Sequence, residues 1–213
     1  GLHGVEGKSS VDRYYAIGLT YANGPLNLAA VVDQTNFSTT KWNGVDWGNL
    51  VDDALTVTVG GNYDFQVVKL YAGAQYFDNA DLNSIDNIFS KDFALSPAQT
   101  ERFQVKGYGL TIGADIPAAG GTFKVATSYL DGTIDKVNGW DMATAIGATF
   151  GEIDISRWNT SAGYLYSLSK RTSLYGVASY SYQTVKGQKD FNGYSLDVAP
   201  TVIEVAAGIV HKF

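Results

Sequence analysis

Apolar and polar side chains alternate along most of this chain with a period of two, the repeat of a β-strand whose two faces meet different surroundings. The C-terminal stretch VIEVAAGIVHKF shows it. Ile203, Val205, Ala207, Ile209, His211 and Phe213 fall on one face, and Glu204 and Lys212 fall among small or aliphatic residues on the other. About nine segments of roughly ten residues or more share this rhythm, long enough to cross a thin membrane at a tilt of about 35–45°.

The first runs from Asp12 to Ala22, with Tyr15, Ile17, Leu19 and Tyr21 opposed to Tyr14, Ala16, Gly18 and Thr20. Asn23-Gly24-Pro25 is a turn signal. Leu26, Leu28, Ala30 and Val32 then oppose Asn27 and Asp33, and Asn36 to Val51 is expected to be a loop. A third strand over Asp53 to Tyr63 and a tight turn over Asn62 to Phe65 lead into a fourth, where Val68, Leu70, Ala72, Ala74 and Tyr76 oppose a Lys69 placed in mid-strand. After a long polar loop over Asp78 to Arg102, with one helical turn before Ser96-Pro97, come two more strands. In the fifth, Tyr108, Leu110, Ile112, Ala114 and Ile116 oppose Gly107, Gly109, Thr111, Gly113 and Asp115. The sixth follows a turn over Pro117 to Gly121 and sets Phe123, Val125 and Tyr129 against Lys124 and Ser128. Asp131 to Gly151 fits no single pattern, and Ala143 to Phe150 suits a loop, a short helix or an extra strand equally well. A seventh strand descends to Leu168, an eighth carries Leu174, Gly176, Ala178, Tyr180 and Tyr182, Val185 to Pro200 is a loop, and the ninth strand reaches Phe213.

Short turns therefore alternate with long loops, as periplasmic turns and extracellular loops do in outer-membrane barrels. That places the C-terminus in the periplasm and the N-terminus outside. An odd strand count departs from the even number usual in single-chain bacterial barrels.

Composition sharpens the membrane reading. Charged residues are 17 % of the chain, below the roughly 25 % of soluble domains, and 14 Tyr and 10 Phe accompany 24 Gly and 4 Pro. Tyr suits headgroup-level girdles, and Gly lets a barrel wall curve. No apolar run approaches the roughly 18 residues of a membrane helix. Mean hydropathy near zero is what a barrel gives, because half of each strand faces water. A net charge of −6 excludes a basic nucleic-acid footprint. Gly1 to Ser10 lacks the basic and apolar regions of a secretory leader, so a leader already removed, or a start inside a longer product, is expected. No cysteine is present, which suits passage through an oxidising periplasm.

If the apolar set faces lipid, parity puts Lys69, Lys124, Arg157, Lys212, Asp33, Asp115 and Glu204 in the lumen. Charges there set ion preference through their local field, although hydrated rim positions would do little. Asp78, Asn79, Asp81, Asn83 and Asp86 offer oxygen ligands but lack the spacing, glycine and closing glutamate of a calcium loop, so a solvated acidic loop is expected, and bridging of divalent cations to lipopolysaccharide has no further support. Neither His3 nor His211 has a nucleophile or carboxylate arranged around it, so nothing marks a hydrolase. Trp42 and Trp47 lie in a loop long enough to touch a host or phage surface, which leaves an adhesion or structural barrel as a competing class.

The segment WNTSAGYLYSLSKRTSLYGVASYSYQ (Trp158 to Gln183), with its core Gly163 to Thr172, and the ending Ala207-Gly208-Ile209-Val210-His211-Lys212-Phe213 resemble the last strands of the Gram-negative general porins. These are the trimeric, sixteen-stranded outer-membrane barrels common in β-proteobacteria. Earlier strands match in rhythm only. The resemblance implies an all-β, antiparallel transmembrane barrel acting as a water-filled, non-enzymatic channel for small hydrophilic solutes. No cofactor or metal is implied, Phe213 is implied as the assembly signal, and membrane lipid, lipopolysaccharide and two further copies are the partners. Val210 stands where the family often has Arg, which removes a basic group from the lumen wall. Members of that family are longer than 213 residues, so the chain is expected to be a single barrel domain missing its N-terminal strands, which lie on a second polypeptide or were lost by cleavage in an external loop. The alternative is a complete small barrel of eight to ten strands.

Overall fold

The computed structural model describes residues 13–36, 41–42, 45–46, 52–81, 104–134, 152–187 and 196–212. They form twelve strands: β1 (Arg13–Asn23), β2 (Leu26–Asn36), β3 (Lys41–Trp42), β4 (Val45–Asp46), β5 (Ala54–Asp64), β6 (Lys69–Asp81), β7 (Gln104–Ala118), β8 (Gly121–Ile134), β9 (Ile153–Ser167), β10 (Thr172–Gly187), β11 (Leu196–Val198) and β12 (Thr201–His211). β3 and β4 make a small hairpin of their own inside the stretch expected to be a loop. The others form one antiparallel sheet in the order β1-β2-β5-β6-β7-β8-β9-β10, with β11 and β12 in turn beside β10. Proline has no N–H to give a ladder, and the last lane breaks at Ala199-Pro200, where the Gln183 N–H donates to the Pro200 carbonyl at 3.0 Å. The result is nine long staves of 11 to 16 residues, the number the alternation predicts.

Turn chemistry fixes one end of the sheet. In the β1–β2 hairpin Gly24 takes φ 55° ahead of Pro25, and in β7–β8 Ala119 and Gly120 take φ 48° and 78°, the positive angles that two-residue hairpins need to match strand twist. The β5–β6 turn is displaced from its expected place. β5 continues through Asn62 and Asp64, and the chain reverses at Phe65–Val68, with the Phe65 N–H donating to the Val68 carbonyl at 2.9 Å. The cause is local: Gln66 adopts φ 70° while its N–H is held by the Asp64 carboxylate at 2.7 Å, an Asx-type turn. Lys69 is consequently the first residue of β6, beside a short turn, and not in mid-strand.

The staves also run further toward the loop end than expected: β8 reaches Ile134, β9 begins at Ile153, and β10 reaches Gly187. Ala143 to Phe150, the residues before Ser96-Pro97, His3, Trp47, Asp86 and Phe213 lie outside the described residues. A bulge interrupts β6–β7 between Phe77 and Ala80, with Asn79 at φ 55°.

Burial concentrates at the loop end. Phe77, Ala80, Val105, Ile134, Ile153, Ile155 and Val185 are all buried, and the register sets Ile134 opposite Ile153, and Ile155 opposite Val185. This is the apolar core of the described residues, and it lies on the same sheet face as the polar side chains described below. The two end staves contrast with it. Among the described residues β1 pairs only with β2 and β12 only with β10, and Leu19 and Val205 are 74 % and 78 % exposed. The sheet is open.

Candidate functional site

Register makes the two faces continuous across all nine staves. One row runs Ile17, Val32, Val57, Tyr76, Tyr108; another runs Ala72, Ile112, Thr127, Thr160, Tyr180, Ile203. On this face two aromatic rows bracket an aliphatic band. Tyr76, Tyr108, Tyr129, Trp158 and Tyr182 lie toward the long loops, with the Tyr108–Tyr129 and Tyr129–Trp158 centroids 6.4 and 6.1 Å apart. Tyr63, Phe65, Phe123, Tyr164 and Tyr166 lie toward the short turns, with Tyr63 and Phe65 at 4.5 Å. Between the rows stand Ala30, Val59, Ala74, Leu110, Val125, Ala162, Ala178 and Val205, and no Asp, Glu, Lys or Arg. The band's few polar groups satisfy one another: Thr127 Oγ1 bonds Thr160 Oγ1 at 3.0 Å, and the Trp158 indole N–H donates to Thr160 Oγ1 at 2.9 Å. An uncharged band between aromatic girdles is what hydrocarbon selects on a barrel exterior. A hollow of about 1560 Å³ over Leu19, Leu28, Gly61, Ala72, Ala74 and Ala114 belongs to this face. It is made by small side chains on an apolar wall and has no charged lining residue.

The opposite face holds Asp33, Asp64, Lys69, Asp115, Lys124, Arg157 and Glu204 within the staves, among Thr, Ser, Asn, Gln and Gly. Three of the expected residues are brought together. Lys69 faces Asp115 across β6–β7, and Asp115 faces Lys124 across β7–β8. Lys124 Nζ meets Asp115 Oδ2 at 2.5 Å, and the Tyr71 hydroxyl donates to the same oxygen at 3.0 Å. The Lys69 ammonium lies over the Tyr71 ring, 5.5 Å from its centroid, a cation–π distance. Tyr71, Asp115 and Lys124 line a shallow hollow of about 400 Å³.

The other candidates are dispersed. Glu204 accepts from Ser179 at 3.3 Å on the far stave. Arg157 Nε donates to Gln183 Oε1 at 3.2 Å, and the neighbouring Asn159 donates to Ser181 at 2.6 Å. Asp33 lies on β2 opposite Thr56, and Lys212 follows β12 with its N–H on the Arg171 carbonyl at 2.8 Å. On the apolar face beyond the loop-side aromatics, Lys106 pairs with Asp78 at 3.6 Å. No group of three His, Cys, Asp or Glu able to hold a metal occurs among the described residues.

A family model described as Gram-negative porin matches residues 2–188. The chain belongs to the Gram-negative porin family. An outer membrane porin protein of Bordetella pertussis is 30 % identical to it over 210 residues, which are 97 % of this chain and 48 % of that one. An anion-selective porin from Comamonas acidovorans superposes with a TM-score of 0.58 at 22 % identity, covering 100 % of this chain and 52 % of that one; at such identity the likeness shows the fold alone. The chain spans about half the length of the relatives it matches. It is outer-membrane β-barrel wall, and the hairpin of β9 and β10, whose core Gly163 to Thr172 carried the resemblance, turns through Ser169 and Arg171.

Sequence reasoning passed over two residues of this porin wall. Asp64 falls within the turn expected over Asn62 to Phe65, although the stave continues through it and sets it opposite Lys69. Tyr71 shares the polar face of Lys69 and is absent from the candidate charges because it carries none. Its signal was present: an aromatic two residues from a lysine of the same parity, facing Gly113, where no side chain opposes the ring.

Proposed function

We propose that this wall is part of a water-filled, non-enzymatic channel through which small hydrophilic solutes and ions diffuse passively across the outer membrane. The observation that carries the reading is the division of one continuous sheet into a charge-free band bounded by aromatics and a face bearing every strand charge between them. Lipid and lipopolysaccharide belong against the first face and water against the second. The open edges of β1 and β12 suit pairing with further strands, on the rest of a longer protein or on a second chain, because an exposed strand edge in hydrocarbon leaves N–H and C=O groups unsatisfied. Trimerisation fits the family and a largely apolar exterior.

Lumen charges are proposed to set ion preference: Lys69, Lys124, Arg157 and Lys212 against Asp33, Asp115 and Glu204, with Asp64 opposite Lys69 added by the register. Asp115 is occupied by Lys124, which leaves Lys69 as the cation presented on that part of the wall and favours anions, as in the anion-selective relative. Planar-bilayer recording of the protein purified from outer membrane tests this. Stepwise conductance and a reversal potential on the anion side in a KCl gradient are expected. Absence of conducting steps would refute the channel.

A further inference from the structure

Lys69 has a carboxylate on each side in the sheet. Asp64 opposes it on β5 and Asp115 on β7. Neighbouring strands lie about 4.8 Å apart, well within reach of a lysine, yet among the described residues neither carboxylate comes within 4.0 Å of its ammonium. Each is engaged elsewhere. Asp64 holds the Gln66 N–H of the turn at 2.7 Å. Asp115 holds Lys124 at 2.5 Å and the Tyr71 hydroxyl at 3.0 Å.

Tyr71 does two things at once. It stands two residues along β6 from Lys69 on the same face, and Gly113 opposite leaves it room. From there its hydroxyl reaches Asp115 while its ring lies under the Lys69 ammonium. We infer that Tyr71 is a specificity-determining residue of the channel. It is an uncharged spacer that keeps Lys69 from pairing with Asp115 and so keeps one cation presented to the lumen. The inference rests on this face being the lumen.

With the ring and hydroxyl removed, Asp115 is shared between Lys124 and Lys69, and the wall loses its unpaired cation. One unit charge acting through water at roughly 7 Å, with a screening length of about 10 Å, changes an anion-to-cation permeability ratio about threefold. Five variants are compared by reversal potential in a KCl gradient, each first checked for native, heat-modifiable mobility. Lys69→Gln, which removes the charge, is expected to lower the chloride-over-potassium ratio about threefold. Tyr71→Ala, which draws the same charge onto Asp115 without removing it, should lower the ratio in the same direction by less. Tyr71→Phe, which keeps the ring, should stay close to the wild type. Asp115→Asn alone should raise the ratio by removing a carboxylate. Tyr71→Ala added to it should then lower the ratio no further, because the group Lys69 would pair with is gone; a general loosening of the wall would lower the ratio on both backgrounds. Should Tyr71→Ala fold poorly, Tyr71→Leu takes its place. A ratio untouched by Tyr71→Ala but lowered by Lys69→Gln overturns the role of Tyr71 and leaves the channel standing. A ratio untouched by both removes the site from selectivity altogether, and failure of every variant and of the wild type to conduct overturns the channel reading itself.

Discussion

Adjacent residues of one stave point to opposite faces, so Thr111 and Ile112 give a sharp test of which face meets lipid. Ile112 is 60 % exposed, lies between Ala72 and Thr127 in the aliphatic band, and stands four residues from Tyr108 and from Ile116 at the edges. Four residues are about 13 Å of strand, too far for a lysine stem to carry its charge to either interface. Ile112→Lys therefore leaves an ammonium near the bilayer midplane, at a cost of about 2–4 kcal/mol. At 1.4 kcal/mol per factor of ten, that is roughly a 30- to 700-fold loss in the folding equilibrium. Thr111→Lys sets the same charge between Gly73 and Ser128, on the face that holds Asp115 and Lys124, and should change stability by about 0.5 kcal/mol or less, as ordinary surface substitutions do. The assay is denaturant-dependent folding into phospholipid vesicles, read by tryptophan emission and by heat-modifiable mobility. Equal costs for the two substitutions, or a larger cost for Thr111→Lys, would refute the facing of the sheet.

Two glycines separate packing from conformation. A Cβ on Gly61 would meet the Asn27 carbonyl oxygen at 2.5 Å and Leu28 Cδ2 at 2.6 Å, whereas one on Gly176 meets nothing within 4 Å. Gly61→Ala should cost about 1–3 kcal/mol and Gly176→Ala close to nothing, by the same vesicle titration. In the loop-end core, Ile153→Ala should cost about 2–5 kcal/mol, far more than Ile112→Ala, whose side chain meets lipid in either form. Comparable losses for the last two would show that the buried cluster is not a packed core.

The fold was legible because a barrel stave writes its two solvents directly into alternate residues. The count of nine, the turn at Asn23-Gly24-Pro25, and the parity of Tyr15 to Tyr21 or Leu174 to Tyr182 all follow from that period. Legibility failed where a second rule competed. Asp64 and Gln66 moved the β5–β6 turn through an Asx bond that alternation does not encode, and this changed the place of Lys69. At the loop end Phe77, Val105, Ile134, Ile153, Ile155 and Val185 put apolar side chains on the otherwise polar face, so the two-colour pattern blurred and β8, β9 and β10 looked shorter than they are. The candidate charges of the staves fall on the face opposite the apolar band, yet parity cannot say which neighbour a side chain chooses. That Asp115 takes Lys124 and Tyr71 and leaves Lys69 is a matter of distances across three staves.

The most direct test of a wall wet on one face and lipid-covered on the other uses the absence of cysteine from these 213 residues. Single cysteines are placed from Gly109 to Ala114 along β7 in the full protein in vesicles and exposed to a membrane-impermeant thiol reagent. Reaction at 109, 111 and 113 and protection at 110, 112 and 114 are expected. Uniform reactivity, or protection in the opposite phase, would contradict the two-faced wall.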